Sequence, residues 1–151
     1  MKSLAENKPT ISSSVQGVYT SGQLIGQLIP INVSEKMMGG MSALLMQLDI
    51  VDTDKLGKKI SLYVFSGLVN LPSDKTTFDI ASPTDALQLR AKIDITSWLS
   101  FTGSSVALNT NLSLAIPSGT DRRFYVALVA GESLTVLTAG NYKVVPSYYV
   151  D

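Results

Sequence analysis

The run RFYVALVAG, residues 123–131, constrains the fold more than any other stretch of the chain. In an extended backbone Phe124, Val126 and Leu128 share one face, and Tyr125, Ala127 and Val129 share the other. Both sets are apolar. A strand with one wet face alternates, so this one must be covered on both sides. We expect core on one face and a loop, an arm or a neighbouring subunit on the other. A loop of small and polar residues leads on to a second β-rich run, YKVVPSYYV (142–150), and the remaining strands are expected to stack around this pair.

The rest of the chain reads as more short strands separated by Gly, Pro and Asn turns. Residues 1–14 are polar, carry Pro9 and Ser12-Ser13-Ser14, and read as an extended arm, either disordered or wrapped on a partner. From Val15 to Asp151 we expect a single domain. Val15–Thr20 is a short strand. In QLIGQLIPINV (23–33), Ile29, Ile31 and Val33 point inward, and Pro30 argues for an edge strand or a bulge. ALLMQLDIV (43–51) places Leu44, Met46, Leu48 and Ile50 on one face, and ISLYVFS (60–66) is its expected hairpin partner across the polar turn DTDKLGKK. Thr76–Ile80 reads as a short strand. Ser82-Pro83-Thr84-Asp85 has the residues of a helix start: a capping hydroxyl, proline in the first turn and an acid at the third position. Ala91–Ile95 alternates, and VALNTNLSLAI (106–116) reads as one further strand. This pattern predicts an all-β protein, an antiparallel β-sandwich of jelly-roll or immunoglobulin-like kind with at most one short helix.

Composition removes much chemistry. The chain of 151 residues has no His and no Cys, so Cys/His zinc sites, Ser-His-Asp triads and Cys-His dyads are excluded. Twelve basic residues balance twelve acidic ones without a basic stripe, which argues against phosphate-backbone binding and so against a direct nucleic-acid partner. Asp52-x-Asp54-x-x-Gly57 is a poor calcium loop, since Leu56 stands where an oxygen ligand is wanted; we read it as a solvated turn and expect no metal or cofactor. No carboxylate pair is nominated for glycoside hydrolysis, and no enzyme activity is expected. MKSLAENKPT lacks the apolar stretch of a signal peptide, and no run approaches the ~18 apolar residues of a membrane span, so no membrane partner is expected. Charged residues are 16% of the chain, against about 25% in an average domain. So few charges suggest that part of the surface is hidden against something else.

Three stretches in order carry a resemblance: YTSGQLIGQLIPINV, MSALLMQLDIVDTDKLGKKISLYVFS and FYVALVAGESLTVLTAGNYKVVPSYYVD. Tyr19, Gly22, Gln23 and Gly26 open the pattern; Asp52 with Lys55 and Phe65 form its middle; Tyr125, Leu128, Val129 and Gly131 close it. The chain thereby resembles a family of small structural proteins of tailed-bacteriophage virions, over roughly Val15 to Asp151. The resemblance implies a non-enzymatic β-sandwich of the virion, and within that class a capsid decoration (cement) protein on the outer shell. It would be made in the host cytoplasm and be present in many copies or as a homo-oligomer, with the major capsid protein as partner.

The contact elements expected for such a role are the arm, through Lys8, Pro9 and Ile11; the loop 34–42, through Met37, Met38 and Met41; and the loop 132–141, through Glu132, Leu134 and Asn141. A head–tail connector, tail or head-fibre base protein would share the fold. A carbohydrate-binding module, stacking sugars on Trp98, Phe101 or Tyr148-Tyr149, is the alternative from another class.

Overall fold

The computed structural model describes residues 3–4, 10–11, 14–32, 43–108, 112–116 and 123–150. In chain order these form β1 (Ser3–Leu4), β2 (Thr10–Ile11), β3 (Gly17–Tyr19), β4 (Leu24–Asn32), β5 (Ala43–Asp52), β6 (Ile60–Phe65), α1 (Pro83–Ala86), β7 (Leu89–Ile95), β8 (Leu99–Ser100), β9 (Ser105–Ala107), β10 (Leu114–Ile116), β11 (Arg123–Ala130), β12 (Leu134–Val136) and β13 (Tyr142–Val150). One sheet runs β1-β13-β5-β9-β8, with β2 also on β13 and β10 also on β5. A second runs β4-β11-β6-β7, and β12 pairs with β3 in a small third ladder. All pairings are antiparallel. The two large sheets face each other across one core, where Leu45, Leu48, Ile50, Tyr142, Val144 and Tyr148 meet Ile29, Ile31, Leu62, Val64, Phe124, Val126 and Leu128. The described residues form an antiparallel β-sandwich with one short helix, as the strand pattern predicts. No helix among the described residues is long and apolar enough to cross a membrane.

The doubly apolar strand β11 is covered on both faces. Phe124, Val126, Leu128 and Ala130 enter the main core, while Tyr125 and Ala127 join a second cluster with Leu24, Phe65 and Val69. Of the covers that the sequence allows, the chain uses its own segment between β6 and α1: Leu71, Phe78 and Ile80 pack on this second cluster. Asp74 pins the segment, since its Oδ1 accepts from the Tyr19 hydroxyl at 2.9 Å and from the Gly26 N–H at 2.6 Å. Gly26 sits at φ 74°, where a side chain would be strained, and the register of β4 against β11 shifts there. β4 is an edge strand, as Pro30 demands. Ser82 caps α1 by accepting from the Asp85 N–H, as its sequence predicts.

Other expectations are corrected. The two runs around which the other strands were expected to stack, β11 and β13, lie in opposite sheets. β5 and β6 are not a hairpin either, because the turn between them crosses from one sheet to the other. The inward set of β5 is Leu45, Leu48 and Ile50, with Leu44 and Met46 only half-buried. A bulge explains the switch: Ser147 faces Gln47 and Tyr148 faces Leu45, so Met46 is an extra residue and the faces exchange beyond it. The stretch 106–116 is two short strands on one side of β5 rather than one. Thr76–Ile80 makes only a single bridge, Thr77 to Gln23. Val33 lies outside the described residues.

Candidate functional site

The turn after β5 is the best-anchored irregular segment. Asp52 is fully buried at the end of the strand. Its carboxylate accepts from the Gly57 N–H at 2.9 Å and from Asn141 Nδ2 at 2.9 Å. Asn141, also fully buried, accepts through Oδ1 from the Asp54 N–H at 2.6 Å, and the Thr53 hydroxyl lies 3.0 Å from both of its oxygens. Asp54 Oδ2 in turn accepts from the Leu137 and Thr138 N–H groups at 3.0 and 2.8 Å. The loop closes further where Glu132 Oε1 accepts from the Lys59 N–H at 3.0 Å and Gly131 donates to the Lys59 carbonyl at 2.8 Å. The acids read as a solvated turn are therefore a clamp on the loop 131–141. Buried polar atoms must be paired, and here each sheet's connecting segment supplies the other's partners.

The clamp shapes an apolar groove of about 380 Å³ at this end of the sandwich. Its walls are Val18, Leu56, Leu134 and Leu137, with Lys58, Ser133 and Thr135 at the polar positions. Val18 is 63% exposed and Leu137 60%, a large exposure for side chains of this kind. Val18 is there because β3 alternates: Tyr19 goes to the core, so Val18 faces outward. Leu137 follows β12, whose Leu134 and Val136 are core residues. Lys58 is the groove's single charged lining residue. The arrangement offers apolar area beside a cation. Among the described residues no group of three acids, His or Cys is placed to hold a metal ion.

The expected contact residues are distributed differently from what their sequence positions suggest. Lys8, Pro9, Met37, Met38 and Met41 lie outside the described residues. Ile11 is in β2, opposite Lys143. Leu134 is buried in the core, where its edge also walls the groove, and Asn141 is buried in the clamp; the exposed positions of that loop are Ser133, Thr135, Leu137, Thr138 and Ala139. The Glu132 carboxylate is engaged within the clamp. Moreover, the strand ends joined by the loop 33–42, Asn32 and Ala43, lie opposite Arg123 and Val150, at the far end of the sandwich from the groove. Val18, Leu56 and Leu137 were not anticipated, although Leu56 carried a signal: it is the one apolar residue in DTDKLGKK.

The aromatic residues considered as a sugar platform differ in placement. Trp98 is half-buried, stacks on Tyr142 with ring centroids 6.4 Å apart, and donates through Nε1 to the Lys58 carbonyl at 3.0 Å, so it plugs the rim of the core. Tyr148 is in the core, and Tyr149 points away from it by strand alternation. Phe101 is 57% exposed.

The fold and this end of the molecule define an antiparallel β-sandwich with a clamped loop and an apolar surface groove. No protein-family model matches the chain, and the search of curated proteins gives no match.

Proposed function

We propose that this protein is a structural component of a tailed-bacteriophage virion, and within that class a capsid decoration protein that binds the outer shell and braces it. The observation that carries the reading is the groove: an apolar surface walled by Val18, Leu56 and Leu137 and held in shape by buried hydrogen bonds. It is joined by the low charge of the chain and by the family resemblance of its strand and turn residues. The mechanism is adhesive. Each copy buries apolar side chains against the major capsid protein at roughly 25 cal/mol per Å2, reduced by the cost of association. Many copies on one shell make individually weak contacts sufficient to resist internal pressure.

Electron cryo-microscopy of the parent particle, with copy number from gel densitometry, tests this. Density at every capsomer seam, with the groove end against the shell, is the expected result. Density confined to a vertex or the tail reassigns the chain to a connector or fibre-base role. Absence from the particle overturns the virion reading altogether.

A further inference from the structure

β7 ends its sheet and presents an edge. In the order β4-β11-β6-β7 it pairs with β6 and with no other of the described strands. The other ends of the two large sheets are guarded. β4 carries Pro30, and Leu24 at its start bonds the backbone of Lys75 and Thr76. β13 has β1 and β2 beside it, and β8 is two residues long.

The regular part of β7 has a defined centre. Val64 faces Ala91 and Phe65 faces Leu89, so Arg90 is an extra residue and the unbroken run is 91–95. Its middle residue is Ile93. Along the run the side chains alternate. Ala91 and Ile93 pack against the main core and Ile95 is buried in it, while Lys92 and Asp94 are exposed on the outer face. Lys92 Nζ and Asp94 Oδ1 lie 3.1 Å apart, and the Ser61 hydroxyl donates to the same carboxylate oxygen at 2.6 Å.

A two-fold axis through a sheet edge pairs a strand antiparallel with its own copy. The residue one place before the axis then faces the residue one place after it. With the axis at Ile93, Lys92 faces Asp94 of the second copy, Asp94 faces its Lys92, and Ala91 faces its Ile95. Each charge thus meets an opposite one across the strands as well as along its own strand. Outer faces must match, so the axis can move only by whole residues. One residue either way sets Lys92 against Lys92 or Asp94 against Asp94, and like charges oppose such a ladder. Charges on an edge strand ordinarily keep other chains away. Here their order admits this chain itself in one register, and the regular run of the backbone picks out the same centre.

We propose that β7 pairs with β7 of a second copy about a two-fold axis at Ile93, joining two four-stranded sheets into one. The ladder is short, so association is weak and rises with concentration. The inference concerns the free protein and does not rest on the virion reading.

Sedimentation velocity over a concentration series tests it, on the full-length chain and on Lys92→Asp and Asp94→Lys. Both side chains are exposed, so the variants should fold, which far-ultraviolet circular dichroism checks. The unaltered chain should show a monomer–dimer equilibrium. In either variant both cross-strand pairs become like-charged, and the dimer Kd should rise on the order of 10-fold or more. An equimolar mixture of the two variants restores opposite charges at both pairs and should recover the dimer, now with one chain of each kind. A chain that stays monomeric at every concentration overturns the proposal. So do variants that dimerise as the unaltered chain does, and so does a mixture that remains monomeric.

Discussion

Two neighbouring residues, Asn141 and Tyr142, show how differently buried polar groups can weigh. Asn141 uses both ends of its amide, donating to Asp52 and accepting from Asp54. Asn141→Ala leaves the Asp52 carboxylate short of a partner in a buried site, and we expect a loss of about 2–3 kcal/mol in denaturant unfolding. The Tyr142 hydroxyl is the contrary case: it is buried and finds no hydrogen-bond partner among the described residues. Tyr142→Phe keeps the ring against Trp98 and removes the orphan, so stability should be unchanged or rise by up to about 1 kcal/mol in the same assay. Burial first, then the Asp52 and Asp54 carboxylates, hold this hydroxyl above the ordinary phenol range. Burial likewise raises Tyr19 from 10.0 to about 12, and its bond to Asp74 adds to the effect while the one to Val15 opposes it. A phenol whose folded pKa is raised stabilises the fold fully below the unfolded value and loses that contribution as pH rises through the folded one. Stability should therefore fall between pH 10 and about 12. Tyrosinate absorbance should show a late step coincident with unfolding; full ionisation of every tyrosine before unfolding would contradict the burial of these two.

At the scale of elements, the alternation of β3 and the clamp on the loop 131–141 together produce the groove. Val18 and Leu137 are exposed, so Val18→Asp and Leu137→Asp should each change folding stability by no more than about 0.5 kcal/mol. On parent particles depleted of the protein, each should weaken rebinding on the order of 10-fold, as expected for losing much of a buried aliphatic side chain and placing a charge in its seat. Equal rebinding of both variants, measured by co-sedimentation, would remove the groove from the contact. Elements also mark where sequence periodicity fails. The inward face of β5 was legible for Leu48 and Ile50 and lost beyond Met46, because a bulge depends on the partner strand and leaves no mark in β5's own pattern. The clamp was illegible for a similar reason: Asp52 and Asn141 are 89 residues apart, and each alone reads as a turn residue.

For the whole molecule, the pairing of β1 and β2 on the open side of β13 is the telling feature. Deleting residues 1–13 should leave a folded β-protein with an unchanged far-ultraviolet spectrum, while the bared β13 edge makes it self-associate in sedimentation. A monomeric, equally soluble truncation would mean that the edge needs no cover. Much of the architecture was written locally. The two apolar faces of Phe124–Val129 required cover on both sides, Pro30 required an edge or a bulge, and Ser82-Pro83 started the helix, because burial and backbone restriction act on each residue where it stands. What the sequence left open was pairing. Which strand lies beside which, that β5 and β6 part into separate sheets, and that the cover over Tyr125 and Ala127 is residues of the chain's own 66–82 segment all depend on contacts between residues far apart in the chain. Alternation states that a face is apolar. Only the tertiary structure decides what that face meets, because apolar burial is non-directional and many partners would satisfy it equally.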